Sequence, residues 1–144
     1  MKNFKFKKKI PGREELSLEL SLDGDGNIKN FHLKAVGSLA FLRLIEKYRK
    51  LFAGPLTNVH EPEETNTGAL LLREAILTAK GQWLPPYKEL QLCHCRSIPT
   101  EKVMESILIG ANTTEKVSRM TSASTACGTC MPDVQAIIDF IIKR

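Results

Sequence analysis

The residues best equipped for chemistry are sulfurous and come in pairs. "LCHCRSIPTE" holds Cys93 and Cys95, and after 31 residues intervening between Cys95 and Cys127 "STACGTCMPD" holds Cys127 and Cys130. These are all four cysteines of the chain. A Cys-x-Cys or a Cys-x-x-Cys lets two thiolates reach one metal from a single stretch of chain, and a second pair brought near by folding completes the set. Four thiolates suit a structural zinc or an iron–sulfur cluster. His94 stands between two of them, where neighbours point apart, and is read as an exposed residue or one supporting the ligands, with a Cys3His zinc site as the alternative. No Ser/His/Asp set, phosphate-binding glycine loop or helical His pair accompanies the cysteines, so hydrolase and nucleotide chemistry have no support and an enzyme is not expected. His32 and His60 lack a catalytic companion, and Glu63 and Glu64 read as solvated loop charges.

The cysteines need elements to hold them. Thr100 is placed to cap a helix carrying Val103, Ile107 and Leu108 that stops near Gly110. Thr113 caps another, with Glu115 favourable against its N-terminal dipole. Pro132 sits in the first turn of a third, whose apolar face is Val134, Ile137, Ile138 and Ile141. A helical unit of about 55 residues has a core too small to be comfortably stable, and a metal staple would add its binding energy to folding. Helix starts follow both cysteine pairs, so their dipoles are available to an anionic centre.

Upstream, "ELSLELSLDGDGNIKNFHLKAV" alternates Leu16, Leu18, Leu20 and Leu22 with polar residues, the pattern of a half-buried strand. "DGDGN" supplies a tight turn rather than a calcium loop, since the later carboxylate of such a loop is missing. Ile28, Phe31, Leu33 and Val36 mark a returning strand, with room for a bulge. Helical spacing begins at the cap Ser38 with Leu39, Leu42, Ile45 and Leu51 on one face, and ends at Gly54-Pro55. A second helix is expected from about Gly68 to Lys80, stopped by Gly81. "QWLPPYKEL" then reads as a linker, because two prolines disfavour a helix. The expected class is α+β: an antiparallel hairpin or small sheet packed with two helices in residues 13–86, then a small all-α unit in residues 87–144.

Residues 1–12, "MKNFKFKKKIPG", carry five lysines and no acid. They account for the whole formal charge of +5, since residues 13–144 hold 16 basic and 16 acidic side chains. This segment is expected to be a solvated basic tail. Without a basic stripe on the body, nucleic acid is not an expected partner. The absence of a long apolar run and of a secretory h-region points to a cytoplasmic protein without membrane association. Nothing suggests a small-molecule substrate.

"CHCRSIPTEKVMESILIGANTTEKVSRMTSASTACGTCMPDV" resembles the bacterioferritin-associated ferredoxin-like (BFD-like) 2Fe–2S domain over roughly residues 90–142. Both pair spacings, the gap, the capped helices and the "CGTC" context agree. The resemblance implies that Cys93, Cys95, Cys127 and Cys130 ligate one 2Fe–2S cluster, with structural zinc as the alternative. It implies a protein redox partner or an iron–sulfur assembly partner, since the family includes electron-transfer ferredoxins and the central domain of NifU, an assembly protein. The N-terminal half more distantly resembles the NifU scaffold domain. Where that family writes Gly-Cys-Gly-Ser this chain has "AVGS", which puts one scaffold cysteine at Val36 and a later one near Gly68. Residues 1–92 contain no cysteine, so that likeness implies a docking or packing module.

Overall fold

The computed structural model describes residues 2–10, 12–87, 89–93, 98–121 and 131–142, the side chains of Leu92 and Cys93 excepted. The chain forms two compact units, one of Met1–Glu64 with Gly68–Trp83 and one of Thr65–Thr67 with Leu84–Arg144. The α+β class expected from the sequence holds: a four-stranded antiparallel sheet comes first and helices dominate afterwards.

In the first unit, strand β2 (Glu15–Leu22) buries Leu16, Leu18, Leu20 and Leu22 and turns its polar residues outward. It pairs with β3 (Asn27–Val36) from Glu15↔Val36 to Leu22↔Ile28, with the bulge falling between Ser21 and Leu22. Between them, Asp23 accepts the backbone N–H groups of Asp25 and Asn27, each at 2.9 Å, and Gly26 takes a φ of +82° that closes the turn. The Asn27 backbone bond, opposed by desolvation and helped by Asp25, the Asn27 side chain and Lys29, holds Asp23 below the ordinary carboxylate range. This carboxylate is committed to the turn.

The basic segment is not a loose tail. Lys2–Lys9 form strand β1, paired antiparallel with β2 from Lys2↔Leu22 to Lys9↔Glu15. Alternation explains why. Phe4 and Phe6 share the face of the β2 leucines, while Lys5, Lys7 and Lys9 line the opposite face. Lys8, on the inner face, reaches Glu74 of the central helix at 3.0 and 3.3 Å. The lysine count disguises a strand whose period-two pattern carries two aromatic rings.

Helix α1 (Leu39–Arg49) starts as expected, the Ser38 hydroxyl accepting the N–H of Phe41. Its buried face differs from the expected one. Leu39, Leu42 and Leu51 are exposed, and Ile45 is shared with the true stripe of Phe41, Ile45, Tyr48 and Phe52. Both stripes have helical spacing; the one with three aromatic rings buries more area and wins. Gly54–Pro55 lie beyond the helix as the short strand β4, paired with β3 at Asn27 and Ile28. Helix α2 (Thr67–Ala79) is buried nearly all round through Ala69, Leu70, Leu71, Leu72, Ala75, Ile76 and Leu77, as befits a helix enclosed by its unit.

Candidate metal centre

In the second unit the first cysteine pair begins on a short ladder. Strand β5 (Gln91–Cys93) pairs antiparallel with β6 (Ile98–Pro99) through Gln91↔Pro99 and Cys93↔Ile98, with an irregularity between Gln91 and Cys93. Three hydrogen bonds fasten its base. The Tyr87 hydroxyl donates to the Gln91 carbonyl at 2.5 Å, the Thr100 N–H to Leu90 at 2.8 Å, and the Thr100 hydroxyl to Glu89 at 2.5 Å. Thr100 is therefore not the expected cap. Pro99 occupies the N-cap position of α3 (Thr100–Leu108) without a side-chain bond, and the hydroxyl of Thr100 is spent on the preceding chain instead.

Helix α3 buries Val103, Met104, Ile107 and Leu108. It ends where Gly110, at φ +119°, lets Ala111 donate back to Ser106 at 3.0 Å. Helix α4 (Thr114–Thr121) has Thr113 as its cap, accepting from the N–H of Lys116 at 3.1 Å. Helix α5 (Met131–Ile142) carries Pro132 in its first turn and buries Val134, Ile137, Ile138 and Ile141. The three helices pack on one another in every pairing. The expected apolar faces of α3 and α5 are thus the ones that form this core.

Of the four expected ligands, Cys93 ends β5, its side chain lying outside the described residues. Cys95, Cys127 and Cys130 also lie outside them, as does His94. Along the chain Cys95 falls between β5 and β6, and Cys130 immediately precedes Met131, the first residue of α5. Among the described residues no group of three or more His, Cys, Asp or Glu could hold a metal ion. The donor set expected from the sequence is all-thiolate, which would fit a soft, tetrahedral site of the kind zinc and iron–sulfur centres take and would not suit calcium or magnesium. A 2Fe–2S centre would be held by these four residues.

The deciding observation comes from comparison with known families. Residues 91–139 match the family model of the BFD-like 2Fe–2S binding domain. The match spans about a third of the chain and includes all four cysteines. It supports iron–sulfur cluster binding by this region and leaves residues 1–90 aside. No curated protein and no solved structure matches the chain. No described helix is long and apolar enough to cross a membrane.

The other sequence candidates fare as follows. Val36 closes β3 with 64% of its surface exposed. Gly68 is buried at the start of α2, where a β-carbon would stand 2.3 Å from Phe41 Cδ1 and 2.7 Å from its Cγ. The Phe41 ring fills the room a cysteine at position 68 would need. His60 contributes its carbonyl, which accepts the Tyr48 hydroxyl at 3.0 Å. Burial, and then the negative charges of Glu64, Glu61 and Glu63, push the Tyr48 phenol above its ordinary range. Sequence reading missed the strapping roles of Tyr87 and Thr100. Tyr87 follows two prolines in a stretch without periodicity, so only its type, an aromatic with a polar tip, hinted at a specific bond.

Proposed function

We propose that the second unit holds one 2Fe–2S cluster on Cys93, Cys95, Cys127 and Cys130, and that the protein serves as a ferredoxin-like one-electron carrier to a protein partner. The observation that carries this reading is the family match, whose residues 91–139 bracket all four thiols. When bound, such a cluster supplies a one-electron couple whose potential depends on net charge, hydrogen bonding and exposure. The chain's task is to position and tune. Tyr87 and Thr100 fasten the ladder that bears Cys93, and the helix beginning at Met131 offers its positive end next in sequence to Cys130. The sequence offers no catalytic set to work beside the thiols, and the protein is not an enzyme on this reading.

Electron transfer is preferred to cluster assembly because the first unit has no thiol and position 68 has no space for one. The first experiment is a visible spectrum of anaerobically purified protein with iron and acid-labile sulfide counted on the same sample. About two irons and two sulfides per chain, with a reversible one-electron couple and no transfer to an apo-ferredoxin, is the expected result. Rapid transfer would replace electron carriage with assembly. A colourless protein with about one zinc per chain would leave a structural interaction module.

A further inference from the structure

The lysine-bearing strand sits at an open edge. Sheet order β1-β2-β3-β4 leaves the outer side of β1 without a neighbour strand among the described residues. The N–H of Ile10 donates to the Glu14 carbonyl at 2.8 Å, and this sets the phase of the ladder. Bonded and non-bonded pairs alternate in an antiparallel ladder, so Lys8, Phe6, Phe4 and Lys2 spend their backbone groups on β2. The backbone N–H and C=O groups of Asn3, Lys5, Lys7 and Lys9 therefore point outward along the edge.

The two faces of that edge differ. On one, Lys5, Lys7 and Lys9 stand in rows with Glu19, Ser17 and Glu15 of β2, and the Lys7 row continues to Lys34 on β3. Lys5 pairs with Glu19 at 3.3 Å. Four lysines against two glutamates leave this face cationic. On the other face, half-buried Phe4 and Phe6 extend the leucine rows and end abruptly.

We propose that β1 accepts, as an added strand, an extended segment of a partner protein whose side chains alternate acidic and apolar. Main-chain bonds to Asn3, Lys5, Lys7 and Lys9 hold the segment, its carboxylates lie beside the three lysines, and its apolar side chains continue the Phe4 and Phe6 rows. Charge complementarity selects this occupant. A second copy of β1 would set lysines opposite lysines, which is destabilising, and edge lysines are a common guard against such self-pairing. A phosphate backbone would meet Glu15 and Glu19 in the same face and leave the outward N–H row unused. This inference does not depend on the cluster.

The test uses the full chain and a fluorescein-labelled peptide of alternating Glu and Val, followed by fluorescence anisotropy and backbone amide shifts. An alternating Lys–Val peptide and a single-stranded oligonucleotide are the controls. The Glu–Val peptide is expected to bind, to weaken as salt is added, and to shift the amides of Asn3, Lys5, Lys7 and Lys9 more than those of Phe4, Phe6 and Lys8. Lys7→Pro removes one outward N–H and one charge at a position where an edge strand tolerates proline, and should weaken binding roughly tenfold. Lys7→Gln keeps the N–H and should weaken it by a smaller factor. Unchanged affinity in a folded Lys7→Pro, tighter binding of either control, self-association through this edge, or no peptide binding at all would each overturn the proposal. Should Lys7→Pro not fold, the amide-shift pattern of the unmodified chain decides alone.

Discussion

A β-carbon at position 68 should be expensive, and the sign of its effect is diagnostic. Gly68 is the second residue of α2, where replacing glycine by alanine would ordinarily help by something under about 1 kcal/mol. Here the new methyl would meet Phe41 at Cδ1, Cγ and Cβ, at 2.3, 2.7 and 2.9 Å. Phe41 is 2% exposed, and two of those three atoms lie near the base of its side chain, so rotating the ring gives little relief. Overpacking of this kind costs about 1–3 kcal/mol, and expelling the ring altogether sets a ceiling of about 3–5 kcal/mol. Gly68→Ala should therefore destabilise the first unit by about 2–4 kcal/mol. At about 4–8 °C per kcal/mol for a unit of this size, Tm falls by about 8–32 °C. Urea and thermal unfolding followed by far-UV circular dichroism measure it. In a Phe41→Leu background the same substitution should be much cheaper, since the obstructing ring is gone. A Gly68→Ala protein as stable as the parent or more so, or strict additivity with Phe41→Leu, would refute the packing account. The closure of position 68 to a thiol would fall with it.

Alanine at Cys130 should abolish bound iron and loosen the second unit at the same time; iron analysis and circular dichroism on one sample check both, and full retention would mean another fourth ligand. Thr100→Val deletes the hydroxyl that donates to Glu89 while keeping the shape, and should cost about 1 kcal/mol, seen as a fall of about 5 °C in the Tm of the second unit. Tyr48 has its folded pKa raised above the unfolded value, so the folded state holds that proton more tightly. Stability is then intact below about pH 10 and declines as pH rises from there through the folded pKa. Tyr48→Phe should flatten this alkaline decline in a pH series of urea midpoints, at the cost of the bond to His60.

What could be read from the sequence followed the strength of local pattern. The β2 leucines, the Asp23 turn, the caps at Ser38 and Thr113, and the apolar faces of α3 and α5 each rest on a signal contained within a few residues. The misses arose where two readings were locally equivalent or where a long-range partner decided. Leu39, Leu42 and Leu51 make as good a helical stripe as Phe41, Tyr48 and Phe52, and only partners distant in sequence, β3 and Gly68 of α2 among them, select the aromatic set. Lys2–Lys9 read as a tail because charge was weighed before period. Its two phenylalanines gain an apolar face only once Leu18 and Leu20 lie opposite, and Lys8 gains a partner only once Glu74, 66 residues away, is brought to it.

The metal centre inverts this relation. Its candidate ligands stand out by spacing and resemblance, because thiols in close pairs have few other uses in a chain of this composition. The bonds around them do not. The Thr100 hydroxyl was assigned to a helix cap, the commonest local use of a threonine before an apolar run, yet it donates across eleven residues to Glu89. A cap is a local bond that sequence can propose; a strap needs the ladder first. Tyr87, Thr100 and the β5–β6 pair give the framework around Cys93 hydrogen bonds of its own. These straps and the mutual packing of α3, α4 and α5 do not run through the thiols, so metal removal should loosen the second unit without erasing its helices, as circular dichroism before and after chelation would show.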